Sequence, residues 1–169
     1  LAAMNRHESQ EVIYETNVNL VEKLIASLER TNSKPHVLIS SSSQEEKDNL
    51  YGKSKREGRE LLVNWAEKNE AVFTGLVIPN VFGPFGKPFY NSVVATFCHQ
   101  VSHNETPKID VDGNLKLIYV GELVQEIIKQ IQAKNNQPRL EIQHTSEQKV
   151  SQILALLEKY KTEYQDKGC

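Results

Sequence analysis

Two short apolar runs restrict the fold of this chain more than any other feature. His36-Val37-Leu38-Ile39-Ser40 and Ala71-Val72-Phe73-Thr74-Gly75-Leu76-Val77-Ile78 are continuously apolar at their centres instead of alternating. That is the pattern of strands covered on both faces of a parallel sheet. A segment with helical spacing precedes each run: Val21, Leu24, Ile25 and Leu28 in residues 11–28, and Leu61, Leu62, Trp65 and Ala66 in residues 51–68. Thr31-Asn32-Ser33-Lys34-Pro35 stops the first helix, and Pro79 ends the second strand. Helix, strand, helix, strand in succession predicts an α/β layer and excludes a bundle.

Downstream the pattern is more broken. Pro79, Pro84 and Pro88 with Gly83 and Gly86 make a shaped loop up to Tyr90. Residues 92–101 read as a helix. A strand pair, 108–111 and 116–120, is expected around the turn signal Asp112-Gly113-Asn114. Residues 122–131 read as helical and 140–143 as a strand. A final amphipathic helix is expected over 146–160, with Val150, Ile153, Leu154 and Leu157 on one face.

With 169 residues the chain can bury the core of one domain but is short for two. A net charge of -2 provides no basic field, so nucleic acid is not expected as a partner. The apolar runs are too short to span a bilayer, so no membrane partner is expected. Cys98 and Cys169 form neither a disulfide framework nor a metal spacing, which makes a reducing cytoplasm the expected compartment. His99 and His103 stand at i, i+4 but lack the Glu of a metalloprotease motif, and no metal site is expected. Leu1-Ala2-Ala3 reads as the tail of a strand entering a loop, so the chain is taken as a fragment.

The chemistry concentrates in two places. Ser40-Ser41-Ser42-Ser43 lies at the C-terminal end of a strand, where open α/β sheets bind ligands. Tyr51 and Lys55 in Tyr51-Gly52-Lys53-Ser54-Lys55 are four apart, so a helix stacks them on one face. A free phenol has a pKa of about 10, and a nearby ammonium favours its ionised form. A serine hydroxyl that donates to a carbonyl oxygen, beside a tyrosine that gives or takes a proton, suits ketone reduction or alcohol oxidation with a hydride-carrying cofactor.

These residues resemble the short-chain dehydrogenase/reductases, whose hallmark is Tyr-x-x-x-Lys with an upstream Ser. The wider pattern is similar to the extended subfamily of nucleotide-sugar epimerases and dehydratases. Leu1-Ala2-Ala3 resembles the end of its fourth strand, and Asn17 in Glu15-Thr16-Asn17-Val18-Asn19 its helix asparagine. Pro79-Asn80-Val81-Phe82-Gly83-Pro84 resembles its Asn-Val-Tyr-Gly-Pro loop, and Leu117-Ile118-Tyr119-Val120-Gly121-Glu122-Leu123 its Phe-Val-His-Val-Asp-Asp-Val segment. Tyr90-Asn91-Ser92-Val93-Val94-Ala95-Thr96-Phe97-Cys98 is most similar to bacterial capsular-polysaccharide reductases, in which a cupin domain follows the reductase domain.

The resemblance implies the C-terminal portion of a Rossmann-like parallel-sheet fold, with helices on both faces and without the first βαβ units. Residues 1–88 would be the remaining Rossmann-like core with the catalytic residues, and 89–169 the substrate-binding part of the same incomplete domain. By position, Tyr51 would be the acid/base, and Lys55 would bind the nicotinamide ribose. The third serine of the family pattern gives Ser42 as catalytic, with Ser43 the alternative register and otherwise a substrate contact. Ala2, Ala3, Asn17, Tyr51, Lys55 and Val81 would meet NADP or NAD, and Asn80 and Asn91 the nucleotide-diphosphate sugar. A homodimer through the helices at 11–28 and 51–68 is implied, with a cupin in the parent protein.

Two departures qualify these implications. No glycine-rich phosphate turn occurs in the chain, since Gly83-Pro84-Phe85-Gly86 is not that motif; tight NAD(P)H binding by these residues alone is not expected. Ser43-Gln44 also follows Ser42 where the dehydratases carry Asp-Glu, which disfavours 4,6-dehydration and leaves reduction or epimerisation. A different class stays open, a non-catalytic binding or regulatory module on the same scaffold. Cys98, on an apolar helix face, is expected in the core, and with His99 it offers a weaker acid/base alternative. Lys53, Arg56 and Arg59 are expected on a solvated helix face.

Overall fold

The apolar runs become adjacent strands of a parallel sheet. A computed structural model describes residues 3–168. Helix α1 spans Gln10–Arg30, strand β1 Val37–Ser42, helix α2 Leu50–Asn69 and strand β2 Phe73–Ile78. Then follow β3 (Asn80–Phe82), α3 (Val93–Ser102), β4 (Asn114–Tyr119), α4 (Val120–Ala133), β5 (Gln137–Glu141), β6 (Ser146–Lys149) and α5 (Val150–Tyr160). The result is an α/β fold of the Rossmann-like kind. Contacts divide the chain into two units: Leu1–Ile78 with Gln125–Ile142, and Pro79–Val124 with Gln143–Cys169. No helix among the described residues is long and apolar enough to cross a membrane.

In the first unit the sheet order is β1-β2-β5, all parallel. Val37 pairs with Phe73, Ile39 with Gly75 and Ser41 with Val77, so these six share one face. Val21 of α1 and Leu62, Trp65 and Ala66 of α2 pack with Val37, Ile39 and Phe73 as its core. Thr74 and Leu76 are also buried, so β2 is covered on both sides, as its unbroken apolarity requires. Ser9 caps α1 by accepting the Val12 N–H, and Asn49 caps α2 by accepting the Gly52 N–H at 2.7 Å. Glu70, in the left-handed region at φ 53°, closes α2.

In the second unit β4 is central: β3 pairs with it in parallel and β6 antiparallel. The hairpin expected around Asp112-Gly113-Asn114 does not form. Asp112 instead accepts the Ser151 N–H and hydroxyl, both at 2.8 Å, and Gly113 O accepts the Val150 N–H. The turn residues are spent on the N-terminus of α5. The helix expected from Ser146 begins four residues later for a matching reason. Residues 146–149 alternate in exposure and pair with β4, setting Glu147 opposite Lys116.

Candidate functional site

The strand β1 ends in serines that do different work. Ser41 turns into the core and donates its hydroxyl to the Glu45 carboxylate. Ser42, the last residue of the strand, accepts the Gln44 N–H on its Oγ at 3.2 Å, which leaves its own proton for another acceptor. Ser43 opens a 3₁₀ turn, Ser43–Glu46, and is exposed.

That turn rests directly on the first turn of α2. A Cβ built on Gly52 would overlap the Gln44 carbonyl oxygen and stand 2.9 Å from its carbon. Glycine is required there by close approach, because only a bare Cα lets the two backbones meet. Tyr51, half-buried, precedes this contact in the chain, and Ser42 lies two residues before Gln44.

One turn further along α2, Lys55 is 7% exposed. Burial pushes its pKa down, and the Glu45 charge partly restores it. A small cavity of about 10 Å³ beside it, lined by Ala3, Asn17, Val21, Ile39, Ser54 and Gly58, has room for roughly one water. Asn17 spends its amide locally: its Oδ1 accepts the Met4 N–H at 2.7 Å, and its Nδ2 donates to Met4 O at 2.8 Å and Ser54 Oγ at 3.1 Å. Ser54 in turn donates to Tyr51 O at 2.7 Å. Ala3 lines the cavity, while Ala2 lies outside the described residues.

Arg59 corrects the expectation of a solvated face. It is 8% exposed, and its Nε and Nη2 reach the Glu45 carboxylate at 3.0–3.2 Å. Its Nη1 donates to Pro138 O at 3.4 Å. Gly75 makes the passage possible, since a Cβ there would stand 2.7 Å from Arg59 Cδ and 2.6 Å from Pro138 O. In the sequence Glu45 is passed over and Arg59 is taken for surface charge. The available signal was spacing: Tyr51, Lys55 and Arg59 form one i, i+4, i+8 stripe of α2.

In the second unit, Asn80 is exposed and its Nδ2 donates to Lys116 O at 3.1 Å. Val81 pairs with Ile118 in the β3–β4 ladder, and Asn91 is exposed just before Ser92, the cap of α3. His99 and His103 stack at 4.0 Å, and His99 meets the edge of Phe89. Among the described residues no group of three or more His, Cys, Asp or Glu could hold a metal. Cys98 lies at the surface, and the packing around its sulfur raises the thiol pKa, the wrong direction for a base or nucleophile.

A buried lysine stands one turn from Tyr51 on α2, and the first turn of that helix meets the turn that follows Ser42. The NAD dependent epimerase/dehydratase family matches this chain over residues 2–142. The chain belongs to that family. UDP-2-acetamido-2,6-beta-L-arabino-hexul-4-ose reductase of Pseudomonas aeruginosa is 33% identical over 135 residues, covering 79% of this chain and 36% of that protein. The capsular polysaccharide assembling protein CapF from Staphylococcus aureus is 34% identical with a TM-score of 0.82, covering 98% of this chain and 46% of that one. The chain therefore spans less than half the length of either relative. UDP-glucuronic acid 4-epimerase from Bacillus cereus, solved with UDP-glucuronic acid and NAD, shares the fold at a TM-score of 0.83 and 16% identity, covering 96% of this chain and 58% of that one.

The family implies a nicotinamide cofactor, and Lys55 tests the fit. A buried ammonium needs acceptors, and a ribose diol offers them. The residues present thus fit the nicotinamide-ribose end of the cofactor.

Proposed function

We propose that the full-length protein reduces the keto group of a nucleotide-diphosphate sugar, with NADPH or NADH as donor, in synthesis of a capsular or other surface polysaccharide. Epimerisation of such a sugar uses the same groups and is the nearest alternative. Lys55 carries the reading: a lysine only 7% exposed, it lies one turn from Tyr51 on a helix braced against the turn that follows Ser42. A reductase and a capsular-polysaccharide protein among the relatives above 30% identity support reduction and that setting.

When bound, the nicotinamide supplies the hydride. The work of the chain is with protons and orientation. Ser42, its Oγ already accepting from Gln44, donates its hydroxyl proton toward the sugar carbonyl oxygen. Tyr51 delivers the proton to that oxygen as it becomes a hydroxyl. Lys55 holds the ribose hydroxyls and makes the tyrosine proton easier to release. The family pattern assigns Ala3 and Val81 to the cofactor, and Ser43, Asn80 and Asn91 to the sugar nucleotide. Dimerisation through α1 and α2, and a cytoplasmic location, belong to the same proposal.

The test is Tyr51→Phe in the full-length protein, followed by NADPH consumption with a UDP-4-keto sugar. A loss of roughly 10²–10⁴-fold in kcat, with sugar-nucleotide binding retained, is expected. Retention of most of the activity overturns the mechanism.

A further inference from the structure

Four groups converge on Glu45, and none of them belongs to the chemistry described above. Its carboxylate, 2% exposed, accepts the Ser41 hydroxyl and the Nε and Nη2 donors of Arg59, and its carbonyl accepts from Arg56. Arg59 continues to Pro138 O on β5. A buried ion pair gives little or no net stability over a packed apolar pair. Its value lies in geometry, since the fork of a guanidinium fixes a carboxylate in distance and direction. Here that carboxylate belongs to the turn that begins just after Ser42, and the guanidinium stands two turns beyond Tyr51 on the same face of α2.

We propose that the Glu45–Arg59 pair is a positioning device for the Ser42 hydroxyl, holding the strand-end turn in register with the helix that carries Tyr51 and Lys55. Ser41 is the local link: it adjoins Ser42, and tying its hydroxyl downward to Glu45 orients the next residue the opposite way along the strand. The pair thus sets where the carbonyl-facing proton is offered. The Glu45 charge also reaches Lys55, whose protonated form it favours.

This inference rests on the reductase reading, and one thermodynamic cycle separates the two. In the full-length protein, kcat and KM for the keto sugar and for NADPH are measured for Ser42→Ala, Glu45→Gln, Ser41→Ala and the doubles with Ser42→Ala. Ser41→Ala leaves the ion pair intact and guards against Glu45→Gln failing to fold. The expected result is a 10- to 100-fold fall in kcat for Glu45→Gln, a smaller fall for Ser41→Ala, both KM values within about twofold, and no further loss when either is added to Ser42→Ala. Losses that multiply in the doubles overturn the positioning role and leave a structural one. Full activity of Ser41→Ala overturns the link through Ser41. Full activity of Ser42→Ala alone overturns the reductase reading beneath it.

Discussion

Gly52 lies so close to Gln44 that no other residue fits at position 52 without moving the 3₁₀ turn: a Cβ there would overlap a backbone carbonyl, not the yielding end of a side chain. The contact ties the serine-bearing strand end to the first turn of α2. Gly52→Ala in the full-length protein is expected to lower kcat by about 10²-fold, the cost of a misplacement near 1 Å. A crystal structure of the variant should show the turn displaced from the helix. Activity within twofold of the parent would mean that the turn position is irrelevant to catalysis.

Burial of Lys55 disfavours the charged form of its side chain. Its folded-state pKa is depressed by burial, so the penalty is full at neutral pH and fades as pH rises through that value toward the ordinary 10.5. Lys55→Met is therefore expected to raise the melting temperature of the cofactor-free full-length protein at pH 7, by roughly 2–4 °C for each kcal/mol relieved. The difference should shrink at alkaline pH and reverse when saturating cofactor is added. Thermal scans across pH, with and without NADPH, check both parts.

His36 gives a pH dependence in the acid range. Thr74 donates its only hydroxyl proton to Asn135 O at 3.1 Å, so the 2.9 Å contact with His36 Nε2 requires the ring to donate. Burial, and then the Lys134 charge, lower the His36 pKa below the ordinary 6.5. The unfolded chain binds the proton more readily than the folded one. Stability is thus complete above about pH 6.5 and falls as pH drops below it toward the folded-state value. Urea midpoints from pH 7.5 to 5 should decline less steeply for His36→Gln, which retains a donor for Thr74.

Asn17 fastens the segment before α1. Replacing it with Ala strands the Met4 N–H and C=O, which should cost about 1–3 kcal/mol. It should also speed hydrogen exchange at the Met4 amide. Unchanged exchange there would show that the segment is held by other contacts.

The first unit was largely legible, because β1, β2, α1 and α2 declare themselves by period and by the residues that end them. Tyr51, Lys55 and the serine run were visible for the same reason: spacing on one helix and the end of one strand. What failed to show was where polar side chains spend their hydrogen bonds. Asp112 looks like a hairpin residue but caps α5 from 39 positions away. Ser146–Lys149 carry no apolar stripe, and their pairing with β4 is a tertiary choice. Arg59 looks like surface charge until Glu45, 14 residues earlier, is found folded beneath it.

The third strand of the β1-β2-β5 sheet arrives late. β2 ends at Ile78, while β5 spans Gln137–Glu141. During synthesis, one edge of β2 therefore remains unpaired until residue 141 has left the ribosome. Long-range parallel pairing of this kind forms slowly, and an open apolar edge is a template for wrong partners meanwhile. Translation rate and chaperone supply are thus expected to govern the yield of folded protein more than the stability of the finished sheet does.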